Sequence, residues 1–372
     1  MKLTIERAAL LRSLAHVQSV VERRTTIPIL SNVLLEGADG WLRLTATDMD
    51  IAIVDRAEAE VGQAGAVTVP AHTLYDIVRK LPEGSQVELD GASEADRLVM
   101  CAGRSRFTLQ TLPKEDFPVM AEGELSHRFE MPAADLRTLI DRTRFAISTE
   151  ETRYYLNGIY LHTAENEGVA VLRAVATDGH RLARAEMPLP EGAAGMPGVI
   201  VPRKTVGELR KLLEEASEPV SVALSETKIR FDCQGAVLTS KLIDGTFPEY
   251  ERVIPTGNDK VMEVACRDLS AAVDRVATIS TEKSRAVKLT LDSGNLTLSA
   301  NSPESGTATE ELEIGYDADP LQIGFNSRYL LDIAQQIEGE GAQFVLADGA
   351  SPTIVRDATD ASTLYVLMPM RV

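Results

Sequence analysis

Repetition constrains this chain more than any other feature. The stretch Ala174-Val175-Ala176-Thr177-Asp178-Gly179-His180-Arg181-Leu182-Ala183 reads as a strand, a tight turn and a second strand. Its apolar positions alternate, and Asp178-Gly179 supplies the positive φ that a two-residue hairpin turn needs. A second version lies upstream, from Leu44 through Thr47-Asp48-Met49-Asp50 to Ile53. A third, more divergent, runs from Leu298 to Ser305. Asp48 and Asp178 stand 130 residues apart, and Asp178 and Ser302 stand 124 apart, which is one third of the 372 residues. Spacing of this kind indicates one domain plan written three times.

The blocks around each hairpin repeat in order. A short strand leads into an amphipathic helix at 2–5 with Leu10, Leu14, Val17 and Val21, again at 128–131 with Leu136, Leu139 and Ile140, and again at 261–264 with Leu269, Val273, Val276 and Ile279. Apolar residues at i, i+3, i+4 and i+7 share one helix face. A second strand–helix block follows in each third, at 67–81, 199–213 and 321–337. Pro70 and Pro202 mark two helix entrances, where a missing N–H is tolerated. The strands alternate and the turns are short, so the fold is expected to be α+β: two helices per third on mostly antiparallel sheets. Polar stretches with Pro or Gly near 117–124 and 254–260 place the boundaries at 1–123, 124–256 and 257–372.

Composition narrows the function. The apolar content of 44% is that of a globular chain. Cys101, Cys233 and Cys266 have no zinc or disulfide spacing and read as buried thiols in a reducing, cytoplasmic setting. Glu6 and Arg7 interrupt any signal-peptide core, and no apolar run approaches a membrane span. The formal charge of −18 argues against a protein that grips nucleic acid by charge alone. The charge is segregated, however. The six helical stretches 6–24, 72–81, 134–146, 203–215, 267–279 and 327–337 carry +5 together, and the remainder carries −23. A weakly positive helical face suits loose contact with phosphate, provided that enclosure retains the DNA.

Phosphate-loop, dinucleotide, zinc-protease and serine-hydrolase motifs are absent from the sequence, so no metal, cofactor or catalytic residue is expected. Asp178 and His180 could form an acid–base pair of a hydrolase, but the first and third repeats carry Asp50 and Glu304 where His180 stands. The Met-rich end, from Tyr365 to Val372, reads either as a core-filling last strand or as an adaptable partner surface.

Several long motifs, in order, name a family. They are Arg153-Tyr154-Tyr155-Leu156-Asn157-Gly158, Ala176-Thr177-Asp178-Gly179-His180-Arg181-Leu182-Ala183, Val201-Pro202-Arg203-Lys204, Phe247-Pro248-Glu249-Tyr250 and Met368-Pro369-Met370-Arg371. Together they resemble the bacterial DNA polymerase III beta subunits, the sliding clamps, over the whole chain. The resemblance implies three domains of the DNA-clamp type and a head-to-tail homodimer closed into a ring around duplex DNA. Twelve helices spaced about 9 Å apart would make a circle roughly 34 Å across, and about 24 Å after removing helix radii. A duplex roughly 20 Å wide fits inside.

The resemblance also implies sites. DNA contacts map to Arg24, His72, Glu150, Tyr154 and Tyr155. His72 stands where a fixed positive charge is common and Glu150 where an uncharged amide is common, which weakens both positions. A groove for partner peptides maps to Leu156, Thr177, Gly179, His180, Arg181 and Leu182, with Pro248, Arg252 and Val253. It continues through Asn326, Tyr329, Val366, Met368, Pro369, Met370 and Arg371. Leu156, Leu182, Val253, Val366 and Met368 would supply apolar pockets, and Arg181 and Arg252 would rim them. The subunit contact maps to Phe107 and Leu109 on an edge strand, packed against Thr278 and Ile279 of the other chain. The implied partners are double-stranded DNA, the polymerase III alpha subunit, the clamp-loader delta subunit, and other polymerases and repair proteins carrying clamp-binding peptides. The alternatives are the hydrolase above and a repeat scaffold that does not bind DNA.

Overall fold

A computed structural model describes residues 1–93, 96–121, 123–280 and 285–371. All six expected helices are present, each following a strand, α3 after the single residue Pro132 and the others directly: α1 (Arg7–Gln18), α2 (Ala71–Lys80), α3 (Ala133–Asp141), α4 (Arg203–Glu215), α5 (Cys266–Ala277) and α6 (Ser327–Ala334). α1 and α6 begin with a side-chain cap. Glu6 accepts from the Ala9 amide at 3.0 Å, and Asn326 accepts from the Arg328 amide at 3.0 Å, each satisfying a donor that the first helical turn leaves unpaired. Several helices are shorter than their apolar periodicity suggests, the first and third most of all. α1 stops at Gln18, and the stretch after Asp141 tightens into a 3-10 turn, Arg144–Ala146.

The chain packs into two compact units that cut across the sequence thirds. The first comprises Met1–Arg137, Pro190–Pro197 and Lys204–Leu242. It holds a five-stranded sheet in the order Glu60–Gln63, Lys2–Glu6, Gln86–Asp90, Arg97–Ala102, Ser105–Gln110. Its eight-stranded sheet runs His127–Met131, Val220–Leu224, Lys228–Cys233, Ala236–Lys241, Ile51–Glu58, Trp41–Thr47, Asn32–Ala38, Gly65–Pro70. Leu10, Leu14 and Val17 of α1 and Leu74 and Val78 of α2 are fully buried, as their spacing predicts.

The second unit comprises Thr138–Leu189, Gly198–Arg203 and Ile243–Val372. Its nine-stranded sheet runs Val199–Pro202, Gly158–Asn166, Val169–Thr177, Arg181–Pro188, Thr363–Leu367, Thr353–Asp357, Gly341–Leu346, Lys260–Ala265, Gly315–Tyr316. A four-stranded sheet runs Gly306–Glu313, Asn295–Ser302, Ala286–Asp292, Leu321–Asn326. All the strand pairs described are antiparallel. The middle third thus divides, giving four strands to each large sheet. The three thiols are free, and Cys101 is only half-buried.

The repeated hairpins are wider than a two-residue turn. Thr177 pairs with Leu182 and Thr47 with Ala52, so four residues intervene in each. Gly179 takes φ +86°, as expected, and Met49 takes φ +78° at the matching place. The aspartate side chain closes the loop. Asp178 Oδ1 accepts from the His180 and Arg181 amides at 2.9 and 3.0 Å, and Asp48 Oδ1 accepts from the Asp50 and Ile51 amides at 2.9 and 2.8 Å. The preceding threonine repeats as well: Thr177 Oγ1 and Thr47 Oγ1 donate to the carbonyls of Arg181 and Ile51 at 2.7 and 2.8 Å. The Thr-Asp pair is therefore structural chemistry, a side chain standing in for backbone partners.

Burial works against the Asp48 carboxylate, but bonds from Lys204 and from the two amides outweigh it and hold its pKa below the usual 3.8. A carboxylate with a depressed folded pKa contributes fully above its unfolded pKa and loses that contribution as pH falls through the folded one. Asp48→Ala should cost about 2 kcal/mol in urea unfolding at pH 7. The gap from wild type should narrow as pH drops below 3.8.

Candidate functional site

The expected groove residues converge in the second unit. Leu156, Leu182 and Val366 belong to one buried cluster with Val175, Ile200, Phe247 and Tyr250. Leu182 and Val366 face each other across the junction of the second and third repeats, where strand Arg181–Pro188 pairs with Thr363–Leu367. Pro248 is exposed just ahead of a 3-10 turn, Tyr250–Val253, that carries Arg252 and Val253 at the surface. Arg252 pairs there with Glu249.

The chain end does not continue as a strand. The last strand stops at Leu367, and two hydrogen bonds then pin the terminal segment. The Met368 amide donates to the His180 carbonyl at 3.0 Å, and the Met370 amide donates to the Gly324 carbonyl at 2.7 Å. Met368–Arg371 therefore bridges the repeated hairpin and strand Leu321–Asn326. Met368 stays 40% exposed and Val253 51% exposed, two apolar side chains left at the surface by the segments that carry Val366 and Tyr250 of the buried cluster. Asn326 caps α6, and Tyr329 on that helix stacks on His180 with ring centroids 6.5 Å apart.

Arg181 is not a rim residue. It is 8% exposed, and its guanidinium is engaged on every side. Nη1 donates to Asp332 at 2.5 Å, Nε to Asp178 at 3.2 Å and Nη2 to the Phe145 carbonyl at 2.6 Å. The Tyr329 ring lies 4.3 Å from its centre and the Phe145 ring 5.1 Å. Burying a guanidinium requires this complete set of partners, and the set ties hairpin, 3-10 turn and α6 together. Arg252 alone of the two expected arginines faces solvent. The same bonds remove the basis for a hydrolase. Asp178 spends Oδ1 on two amides and Oδ2 on Arg181, and the His180 ring lies against Tyr329.

The residues mapped to DNA contact are distributed over both units. Arg24 is exposed in the loop after α1. His72 is occupied internally, with Nδ1 at 2.9 Å from Gln18 Oε1 and Nε2 at 2.9 Å from the Val21 carbonyl, and so joins α2 to the end of α1. Glu150 pairs with Arg153 at 2.7 Å. Tyr154 is 53% exposed, and Tyr155 rests half-buried on the apolar cluster, edge-on to Tyr154 at 5.8 Å. Gly179 lies close to this segment, since a Cβ there would stand 2.5 Å from Arg153 Nη1. Sequence reasoning missed Arg153, Phe145 and Asp332. Arg153 lies inside a quoted motif, whereas the other two carry no local signal.

On the subunit contact, strand Ser105–Gln110 is a sheet edge, with Phe107 and Leu109 half-buried on it. Thr278 caps α5 and is exposed, and Ile279 follows it half-buried.

Three tandem repeats, each with two strand-entered helices on antiparallel sheets, define a DNA-clamp fold. The N-terminal, central and C-terminal domain profiles of the DNA polymerase III beta subunit match residues 1–121, 130–249 and 251–371. A beta sliding clamp of Caulobacter vibrioides is 58% identical over 372 residues, all of both chains, and one of Pseudomonas aeruginosa is 44% identical over the same span. A crystal structure of the C. crescentus beta sliding clamp with polyethylene glycol bound superposes with TM-score 0.98, at 58% identity over 100% of this chain and 99% of that one. A Bartonella birtlesii clamp bound to griselimycin gives 0.97 at 52% identity, covering both chains fully. The chain belongs to the DNA polymerase III beta subunit family, the beta sliding clamps. Its function is that of a sliding clamp, the processivity factor of DNA polymerase III.

Arg181→Ala should lower unfolding stability by about 3 kcal/mol, because Asp332 is left as an uncompensated charge. Arg181→Lys should recover only part of the loss in chemical denaturation, since one ammonium cannot serve three directions.

Proposed function

We propose that two copies of this chain close head to tail into a ring that holds duplex DNA by enclosure and captures partner peptides in the groove around Leu182, Val366 and Met368. The strand inventory carries the ring reading. Each internal junction is one continuous large sheet, of eight strands in the first unit and nine in the second. The outermost sheets have five and four strands, half-sheets by comparison. Joining edge Ser105–Gln110 of one copy to edge Gly306–Glu313 of the other would make a third sheet of the same size. It would also pair backbone groups that an open edge leaves exposed. Arg104 and Arg106 would face the Glu310-Glu311-Leu312-Glu313 run, and Phe107 and Leu109 would pack on Thr278 and Ile279.

The repeats on this reading are 1–123, 124–256 and 257–372. Arg24, Tyr154 and Tyr155 touch DNA, and the internal bonds of His72 and Glu150 leave them lesser roles. The protein is an accessory subunit without catalysis of its own, acting in the cytoplasm. Its groove receives the polymerase alpha subunit, the loader delta subunit, and other polymerases and repair proteins. Leu156 at the base, with Thr177, Gly179, His180, Pro248, Arg252, Asn326, Tyr329, Pro369, Met370 and Arg371 around it, completes the groove. No helix among the described residues is long and apolar enough to cross a membrane.

Retention on closed circular DNA and its loss on linearisation test enclosure directly; equal retention on both forms would exclude it. Ile279→Asp should give monomers by light scattering, because a carboxylate would be buried opposite Phe107 and Leu109. Met368→Ala should weaken a clamp-binding peptide about fivefold or more while leaving the dimer intact, since one flexible apolar anchor is lost.

A further inference from the structure

A buried polar row lies beneath one wall of the groove. Strand register sets His162 beside Arg173, and Arg173 beside Glu186. The first repeat has the same three positions as Glu36, Arg43 and Arg56, in the same cross-strand register. There Arg43 and Arg56 are exposed, and Glu36 reaches Arg43 only at 3.9 Å. In the second repeat Arg173 is 4% exposed and Glu186 7%. The difference is what covers the row. Arg173 Nη1 donates to the Tyr250 hydroxyl and to Glu251 Oε1, both at 2.9 Å, and Nε donates to Glu186 at 2.8 Å. Tyr250 and Glu251 open the 3-10 turn whose other two residues, Arg252 and Val253, are exposed. In the first repeat Met120 follows Phe117 by three residues, as Tyr250 follows Phe247, and a thioether offers only a weak acceptor to an arginine.

We propose that Arg173, acting through Tyr250 and Glu251, is the positioning residue that fixes the Tyr250–Val253 wall, and that this strut preforms a peptide site at the second repeat junction and not at the first. The inference rests on the groove reading above. Preformed walls save the ordering cost that a short peptide would otherwise meet on binding. Without the strut, the turn would be held to the sheet only by the apolar packing of Phe247, Tyr250 and Ile254 in the buried cluster.

The hydrogen bonds give the strut a signature. His162 Nδ1 lies 2.9 Å from the Thr163 carbonyl and donates to it, so neutral Nε2 accepts from the Tyr250 hydroxyl at 3.0 Å. The hydroxyl oxygen is then free to accept from Arg173. A second proton on His162 would turn Nε2 into a donor, aim two cations at one oxygen and leave the hydroxyl hydrogen without its acceptor. Tyr250 is the hydroxyl partner of His162, Arg173 and Glu251 are the charges that act on it, and the Tyr160 ring stacks on it with centroids 4.5 Å apart. Burial lowers the His162 pKa below the usual 6.5, against the raising effect of the Thr163 bond. A histidine with a depressed pKa contributes above 6.5 and loses its contribution as pH falls.

The test is fluorescence anisotropy of a labelled, histidine-free clamp-binding peptide on the full-length protein between about pH 7.5 and 5.5. Wild-type affinity should fall toward the acid end. Tyr250→Phe keeps the ring in the cluster and removes only the hydroxyl; it should bind about fivefold more weakly at the upper pH and show a flat profile. His162→Gln keeps a neutral acceptor for the hydroxyl, and should bind like wild type at the upper pH and stay flat. Wild-type affinity for Tyr250→Phe, or one shared pH curve for wild type and His162→Gln, overturns the strut. Met368→Ala serves as the separate check on the groove: unchanged affinity there places the peptide elsewhere, whereas a loss there with Tyr250→Phe unaffected removes the strut alone.

Discussion

Backbone pairing across repeat boundaries is the constraint on which the rest of this structure depends. No third of the chain closes its own sheets. Strand Ile51–Glu58 finds its neighbour in Ala236–Lys241, and Arg181–Pro188 finds its neighbour in Thr363–Leu367. An unpaired strand edge leaves a row of N–H and C=O groups that water or another strand must satisfy. Each repeat is therefore incomplete alone, and the compact units straddle the repeats. The same incompleteness recurs at Ser105–Gln110 and Gly306–Glu313, each of which has a paired strand on one side only among the described residues.

Electrostatics then sets how firmly such a molecule can hold a polyanion. The helical stretches carry an excess of positive charge, but much of it is spent internally. Lys204 pairs with Asp48 and Glu22, Arg12 with Glu215, Lys211 with Glu208 and Arg275 with Glu310. An arginine or lysine already paired contributes little to counterion release from DNA. Net charge and local pairing thus agree: contact with phosphate is weak, and retention has to come from enclosure.

The Thr-Asp hairpin shows one local device serving two ends. In both repeats the threonine and aspartate close the same four-residue loop. The first ends in Asp50, whose carboxylate meets Lys241 at 2.9 Å. The second places His180 over Tyr329 and offers its carbonyl to Met368. A conserved backbone solution within the chain leaves the following side chain free to differ. That freedom turns one copy into an ion-paired surface and the other into an anchor for Tyr329 and Met368.

Much of this was legible in the sequence for a physical reason. Periodicity, turn residues and repeat spacing are short-range, and they place all six helices and the hairpins without reference to distant parts of the chain. The residues that the family motifs map to a peptide groove likewise all lie in the second unit. Tertiary structure alone decided how partners far apart in sequence meet. Arg181 became a buried hub because Asp332 and Phe145 surround it, His72 was taken up by Gln18 and Val21, and the chain end left the sheet at Leu367 to reach Gly324. Whether a charged side chain is a contact or a scaffold depends on its desolvation and on the partners that compensate it, and those are properties of the packed fold.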